Sequence, residues 1–186
     1  MKRINFLSLA TTLAFSANVF AMDGAAVSQL QRQAADLYRA RRYQEAANLY
    51  RQIKEAQPRN TDVLKDLMWS LWKSGNVKET IEVANQITTI DPNDTEAFSV
   101  LAKAHQASGN TKEGIENYQK VLAQESMNGQ VKLALGRLYM NQGNLDEAEG
   151  LLKQAAVESP GNPEILPALA KLQSMRGNYA EAASTW

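Results

Sequence analysis

The sequence contains no cysteine in 186 residues. That excludes disulfides, thiol catalysis and thiolate metal sites, and it removes any cysteine to which a lipid could be attached after export. Histidine occurs once, at His105. A general base needs a positioned partner and a substrate pocket, and neither accompanies it, so His105 reads as a packing residue. Excess charge of one sign is also missing: 20 basic residues stand against 20 acidic ones. A dedicated nucleic-acid-binding domain would normally be basic. There is no glycine-rich phosphate loop, no pair of catalytic carboxylates and no nucleophile elbow. Asp146, Glu147 and Glu149 cluster where a helix begins, and there they complement its dipole rather than mark a metal site. No catalytic, cofactor or metal residue is expected, and the chain does not read as an enzyme.

Long apolar runs are scarce as well. The best stretch, Ile4 to Phe15, follows Lys2 and Arg3 and is diluted by Asn5, Ser8, Thr11 and Thr12. A membrane span needs about 20 predominantly apolar residues. Val19-Phe20-Ala21 then places small residues where signal peptidase inspects the chain, so residues 1–21 read as a secretory signal peptide cleaved before Met22. Lys2 and Arg3 leave with it, so the mature chain carries 18 basic and 20 acidic residues, a balance of −2. An exported chain without cysteine suits a bacterial periplasm or secretion, with no membrane span after cleavage.

What the chain does contain is a fixed period. Gly75-Asn76, Gly109-Asn110, Gly143-Asn144 and Gly177-Asn178 follow one another at steps of 34 residues. Pro58, Pro92 and Pro160 keep the same step, with Ser126 in the vacant slot, and so do the small residues Ala46, Thr80, Gly114, Ala148 and Ala182. A period of this length means copies of one supersecondary unit. Between the marks, apolar residues recur at helical spacing, as in Val63, Leu64, Leu67, Met68 and Leu71. A left-handed Gly75 would end that helix, and Pro92 would stop the next. Thr61 and Thr95 are the expected N-caps. Each helix, at about 14 residues, is marginal alone and needs its neighbours.

The unit of helix, Gly-Asn turn, helix and proline turn resembles the tetratricopeptide repeat from Val27 onward. Leu135-Gly136, Tyr139, Gly143, Ala148, Ala155 and Pro160 form the fullest copy. The copies fall at 27–60, 61–94, 95–128, 129–162 and an incomplete 163–186. Arg41 replaces the turn glycine of the first, and Gly114 the helix alanine of the third. The resemblance implies an all-α, right-handed superhelical solenoid of antiparallel helix pairs. Ala34, Ala102, Gly136 and Ala170 let paired helices approach, and Tyr50, Ile53, Ile87, Tyr118, Val121 and Leu152 fill the space between pairs. Leu135 and Tyr139 are expected in the core. The array stops at Trp186 without a polar cap, so Leu169, Leu172 and Trp186 form an unfinished apolar end, that of a fragment or one covered by a partner.

The resemblance also implies that the first helix of each pair lines a concave groove. One position per copy gives Ala35, Trp69, Lys103, Arg137 and Lys171. The position three further gives Tyr38, Trp72, Gln106, Met140 and Ser174, on the same face. The expected partner-binding groove is thus Tyr38, Lys65, Trp69, Trp72 and Lys73, followed by Lys103, Arg137, Met140 and Lys171. Exposed tryptophans beside cations are common at binding hot spots. The competing reading is that the tryptophans pack on a neighbouring helix and the lysines form a solvated face. The family's carboxylate clamp for chaperone tails is absent: its sites hold Gln31, Ala35 and Asp66, or one copy later Lys65, Trp69 and Val100.

The expected function is a periplasmic scaffold or adaptor that binds a protein or peptide in cell-envelope assembly or secretion. Three alternatives stay open: the N-terminal part of a larger exopolysaccharide-export protein, a targeting arm for an enzyme, and a glycan-binding module. An anionic polysaccharide is the other ligand class such a groove would suit.

Overall fold

The computed structural model describes residues 23–180 and residue 182. The expected signal peptide 1–21, its cleavage before Met22, and Trp186 lie outside the described residues. Helices carry the described chain, and no strand occurs among the described residues. In order they are α1 (Gly24–Arg39), α2 (Tyr43–Ala56), α3 (Thr61–Lys73), α4 (Val77–Ile90), α5 (Thr95–Ala107), α6 (Thr111–Gln124), α7 (Gly129–Gln142), α8 (Leu145–Glu158) and α9 (Ile165–Met175). A further helix starts at Tyr179.

The turns within pairs share one geometry. Gly75, Gly109, Gly143 and Gly177 all have φ between 78° and 82°. In each, the next N–H reaches back five residues, as from Asn76 to the Leu71 carbonyl at 3.0 Å and from Asn144 to the Tyr139 carbonyl at 3.0 Å. This closes the helix end by satisfying a carbonyl the helix leaves open. The first turn keeps the same bond, Arg42 N–H to Leu37 carbonyl at 2.9 Å, with Arg41 forced to φ 60°. The bond requires a left-handed residue there whatever its side chain.

The helix starts differ from expectation by one residue. Asn60 and Asp94, not Thr61 and Thr95, are the N-caps. The Asn60 side chain accepts from the N–H groups of Asp62 and Val63, and Asp94 accepts from Ala97 at 2.8 Å. Each threonine is the first helical residue, and Thr95 donates its hydroxyl to Glu125 instead. Asp and Asn cap as well as Ser or Thr, so the earlier residue takes the position.

Two compact units divide the chain at Pro92. In the first, α1 to α4 pack in sequence order. Ala34 and Ala46 have no exposed surface, and Leu64, Leu67, Leu71 and Ile87 are fully buried. The close-approach slot of α3 holds Met68, also fully buried. Arg51 of α2 makes a two-pronged ion pair with Glu79 of α4, both bonds 2.6 Å long.

In the second unit, α5 to α9 again pack in order, and α7 also touches α9. Gly136 of α7 lies against Leu152 and the Ala148 carbonyl of α8. Leu133, Met140, Leu152, Ile165 and Leu172 share one core cluster. Leu172 therefore corrects the expectation of an uncovered end, because α7 and α8 already enclose it. Leu169 is partly buried on the same cluster. The apolar side chains that do stand out are Leu166, Met175 and Tyr179, together with Met127 and Val157. Leu135 is buried as expected. Tyr139 is only half-buried, because its hydroxyl turns outward to accept from the Gln119 amide at 3.2 Å. His105 is half-buried, and its Nδ1 is enclosed without a partner.

Candidate partner-binding clefts

On the first unit, α1 and α3 present the aromatic residues. Tyr38 is half-buried with its ring edge-on to Tyr43, centroids 5.1 Å apart. Burial raises its pKa, with smaller contributions from Tyr43 and Asp66. Lys65, Trp69 and Trp72 are half-buried, and Lys73 is exposed. The tryptophans thus combine packing with partial access.

A cleft of about 480 Å³ opens on this unit, lined by Gln31, Ala35, Asp36, Arg39, Tyr50 and Asp66 among others. The sites compared with the carboxylate clamp do come together here, but with different chemistry. Asp66 is an acceptor, and it takes a hydrogen bond from the hydroxyl of Tyr50. Tyr50 is almost wholly buried. Burial first, then Asp66, drives its hydroxyl far above the ordinary tyrosine range, so it remains a donor. Asp36 is engaged by Arg39.

On the second unit the cations converge. Lys103 of α5 and Arg137 of α7 line a cleft of about 760 Å³. Arg137 also lines a neighbouring one of about 300 Å³ together with Lys171 of α9. Arg137 is held in place by Glu164, whose carboxylate and carbonyl accept from its two terminal nitrogens at 2.8 and 3.3 Å. Lys103 and Lys171 are exposed and form no ion pair with a described residue. Met140 is a correction to the expected groove. It is 2% exposed, because Ala168 and Leu172 pack into the same cluster and draw it into the core. Only its edge reaches the smaller cleft beside Lys171.

Several cleft residues have no counterpart in the expected groove. Asn128, Gln130 and the 159–164 loop, with Pro160 and Pro163, form one side of the larger cleft. Tyr118 forms its floor: it is 2% exposed yet lines the space. Burial pushes its hydroxyl up to about 12. That hydroxyl makes no hydrogen bond to a described residue. The signal was visible as a hydroxyl in a packing slot that Ala84 and Leu152 fill in other copies. Among the described residues no group of three His, Cys, Asp or Glu could hold a metal ion. None of the described helices is long and apolar enough to cross a membrane.

Comparison with known proteins agrees with this architecture. Tetratricopeptide-repeat families match residues 37–104 and 100–163, so together they span 37–163. The chain belongs to the tetratricopeptide repeat family, an all-α helical-repeat solenoid whose fold serves as a protein-interaction scaffold. Among solved structures, a MamA protein is 18% identical with a TM-score of 0.80, covering 88% of this chain and 89% of that one. MamA from Desulfovibrio magneticus RS-1 is 14% identical with a TM-score of 0.82, covering 89% and 93%. A thermophilic TPR protein of Thermus thermophilus is 24% identical with a TM-score of 0.63, covering 86% and 88%. At these identities the likeness shows the fold. No curated protein sequence matches the chain.

Proposed function

We propose that this protein is a non-catalytic adaptor of the bacterial cell envelope, exported by residues 1–21, that holds a partner protein against the first helices of its pairs. The observation that carries the reading is the larger cleft of the second unit. It sits beside α5 and α7 in a fold built for protein interaction, and it carries Lys103 and Arg137. Export rests on Lys2-Arg3, the short apolar run and Val19-Phe20-Ala21. Assembly or secretion machinery is the setting that an exported scaffold would serve. Glycan binding has less support, since Tyr38, Trp69 and Trp72, the rings that would stack on sugars, are not among the residues lining the cleft of the first unit.

The test places a photo-crosslinking residue at Gln106 or Lys171 on the first helices, and at Glu116 on the exposed side of α6. The reading expects a specific adduct from the first two positions and none from Glu116, in periplasmic material whose N-terminus is Met22. Adducts from Glu116 alone would remove the partner from this face, and a mature chain still starting at Met1 would remove export.

A further inference from the structure

The two largest clefts described above are the same place in two copies of the repeat. Tyr118 lies two 34-residue periods after Tyr50, and the same step carries Gln31 to Ser99, Ala35 to Lys103 and Asp66 to Ala134. All four residues of the first set line the cleft of the first unit, and all four of the second set line the cleft of the second. Their charge differs at two of the four positions. The first cleft has its own carboxylate, Asp66, bonded to the tyrosine hydroxyl. The second has Ala134 in that position, a lysine in place of Ala35, and a tyrosine hydroxyl without a partner.

We propose that the second cleft binds a carboxylate supplied from outside, an Asp or Glu side chain on an extended acidic segment of the partner protein. The incoming carboxylate takes the place that Asp66 holds in the first unit. There it accepts from the hydroxyl of Tyr118 and is neutralised by Lys103. This rests on the adaptor reading and names the partner's chemistry.

Three observations favour a peptide. The Tyr118 hydroxyl belongs to a side chain that lines the cleft and has no acceptor among the described residues, so its donor is open to a ligand. Lys103 has no carboxylate of its own, and a hydrogen bond to an ionised acceptor is among the stronger ones. The Gln130 amide and the Asn162 Nδ2 line the same cleft and offer donors and an acceptor, as a peptide backbone requires, while the Asn128 amide beside them is engaged by Glu125 and Val131. The volume, about 760 Å³, lies within the roughly 300–1,000 Å³ typical of ligand pockets. The raised pKa of Tyr118 keeps it a neutral donor at any physiological pH.

The experiment measures anisotropy of a fluorescein-labelled peptide of alternating Asp and Gly on the full chain, beside its Asn-Gly counterpart and an alginate oligomer. The Asp peptide should bind, and the Asn peptide about tenfold or more weaker. Tyr118→Phe removes only a hydroxyl and should weaken binding roughly tenfold to a hundredfold, the order of one hydrogen bond to a charged group. Lys103→Gln should weaken it and flatten its salt dependence. Ala134→Asp restores the internal carboxylate and should abolish binding, whereas Ala134→Asn should weaken it less. A thermal melt checks that each variant is folded. Equal binding of the Asn peptide, binding of alginate alone, no binding of the Asp peptide, or affinity unmoved by both Tyr118→Phe and Ala134→Asp would overturn the proposal. An adaptor that still crosslinks through Gln106 while failing these arms would keep its function and lose only this account of its ligand.

Discussion

Two glycines in the fourth repeat should respond to alanine with opposite signs. Both sit inside helices, Gly136 in α7 and Gly150 in α8. Alanine is intrinsically better than glycine in a helix interior by about 0.8–1 kcal/mol, so propensity alone favours both changes. At Gly150 nothing lies within 4 Å of an added Cβ, and the site is exposed. Gly150→Ala should therefore stabilise by about 0.5–1 kcal/mol. At Gly136 the added Cβ would stand 3.0 Å from Leu152 Cγ, 3.1 Å from its Cδ2 and 3.4 Å from the Ala148 carbonyl oxygen. Leu152 is fully buried in the cluster that joins α7, α8 and α9, so it has little room to retreat. Overpacking of this kind costs about 1–3 kcal/mol. Subtracting the helical gain leaves Gly136→Ala destabilised by about 0–2 kcal/mol. Because stacked repeats do not unfold strictly as one unit, the assay should pair urea denaturation by circular dichroism with hydrogen exchange of α7 and α8 amides. Loosening should concentrate in those helices. If Gly136→Ala raised stability as much as Gly150→Ala, Leu152 would have to be free to yield, and the claim of close helix approach at this position would fail.

Arg41→Gly should stabilise the first turn by about 1 kcal/mol, because it relieves a left-handed backbone that costs a non-glycine residue roughly 1–2 kcal/mol; chemical denaturation of the two chains would show it. Arg51 holds the Glu79 carboxyl below its ordinary range by its two-pronged bond, against the opposing effect of burial. The folded value is depressed, so this contribution is present above the unfolded value of about 4.3 and is lost as pH falls through the folded one. The stability gap between the parent chain and Arg51→Ala, followed by urea titrations from pH 7 to pH 3, should therefore shrink only at the acid end; a gap independent of pH would contradict it. Lys132 of α7 and Glu158 of α8 form a nearly enclosed ion pair, with side chains 9% and 11% exposed, and the second Glu158 oxygen has no partner. Lys132→Leu should cost about 3–5 kcal/mol by stranding the carboxylate, while the double change with Glu158→Leu should recover most of that loss, as denaturation midpoints would report.

The fold was legible because its signals recur. A single Gly-Asn turn would be a weak mark, but one repeated at a fixed step names the unit, and the left-handed turn conformation at Gly75 explains why glycine must keep returning. The exceptions were legible only as exceptions. Arg41 breaks the pattern in sequence, yet the backbone bond from Arg42 to Leu37 holds the turn unchanged. Met68 and Lys132 occupy slots that in other copies hold a small residue and a large apolar one. Both are buried, because neighbouring side chains adapt in ways that spacing does not encode. The caps fall at Asn60 and Asp94, one residue before the expected threonines, because two adjacent residues can each cap and only backbone geometry chooses between them.

The site was legible in a narrower sense, and the reason lies in what a repeat does to a reader of sequence. Stepping by one period finds residues that share a face, and it brought Lys103, Arg137 and Lys171 to the same side of the second unit. It does not tell how deep each residue lies, so Met140 appeared on the face although the core had absorbed it. Nor does it weigh a residue that belongs to the packing and the cleft at once. Tyr50 and Tyr118 hold the same slot, and spacing alone makes both of them filler. The difference between them is set elsewhere in the chain, by Asp66 in one case and Ala134 in the other. A slot's role therefore depends on the slot it faces in the next copy. In an array of near-identical units, function is to be sought where two facing slots change together while the fold around them does not, as they do between Ala35 with Asp66 and Lys103 with Ala134.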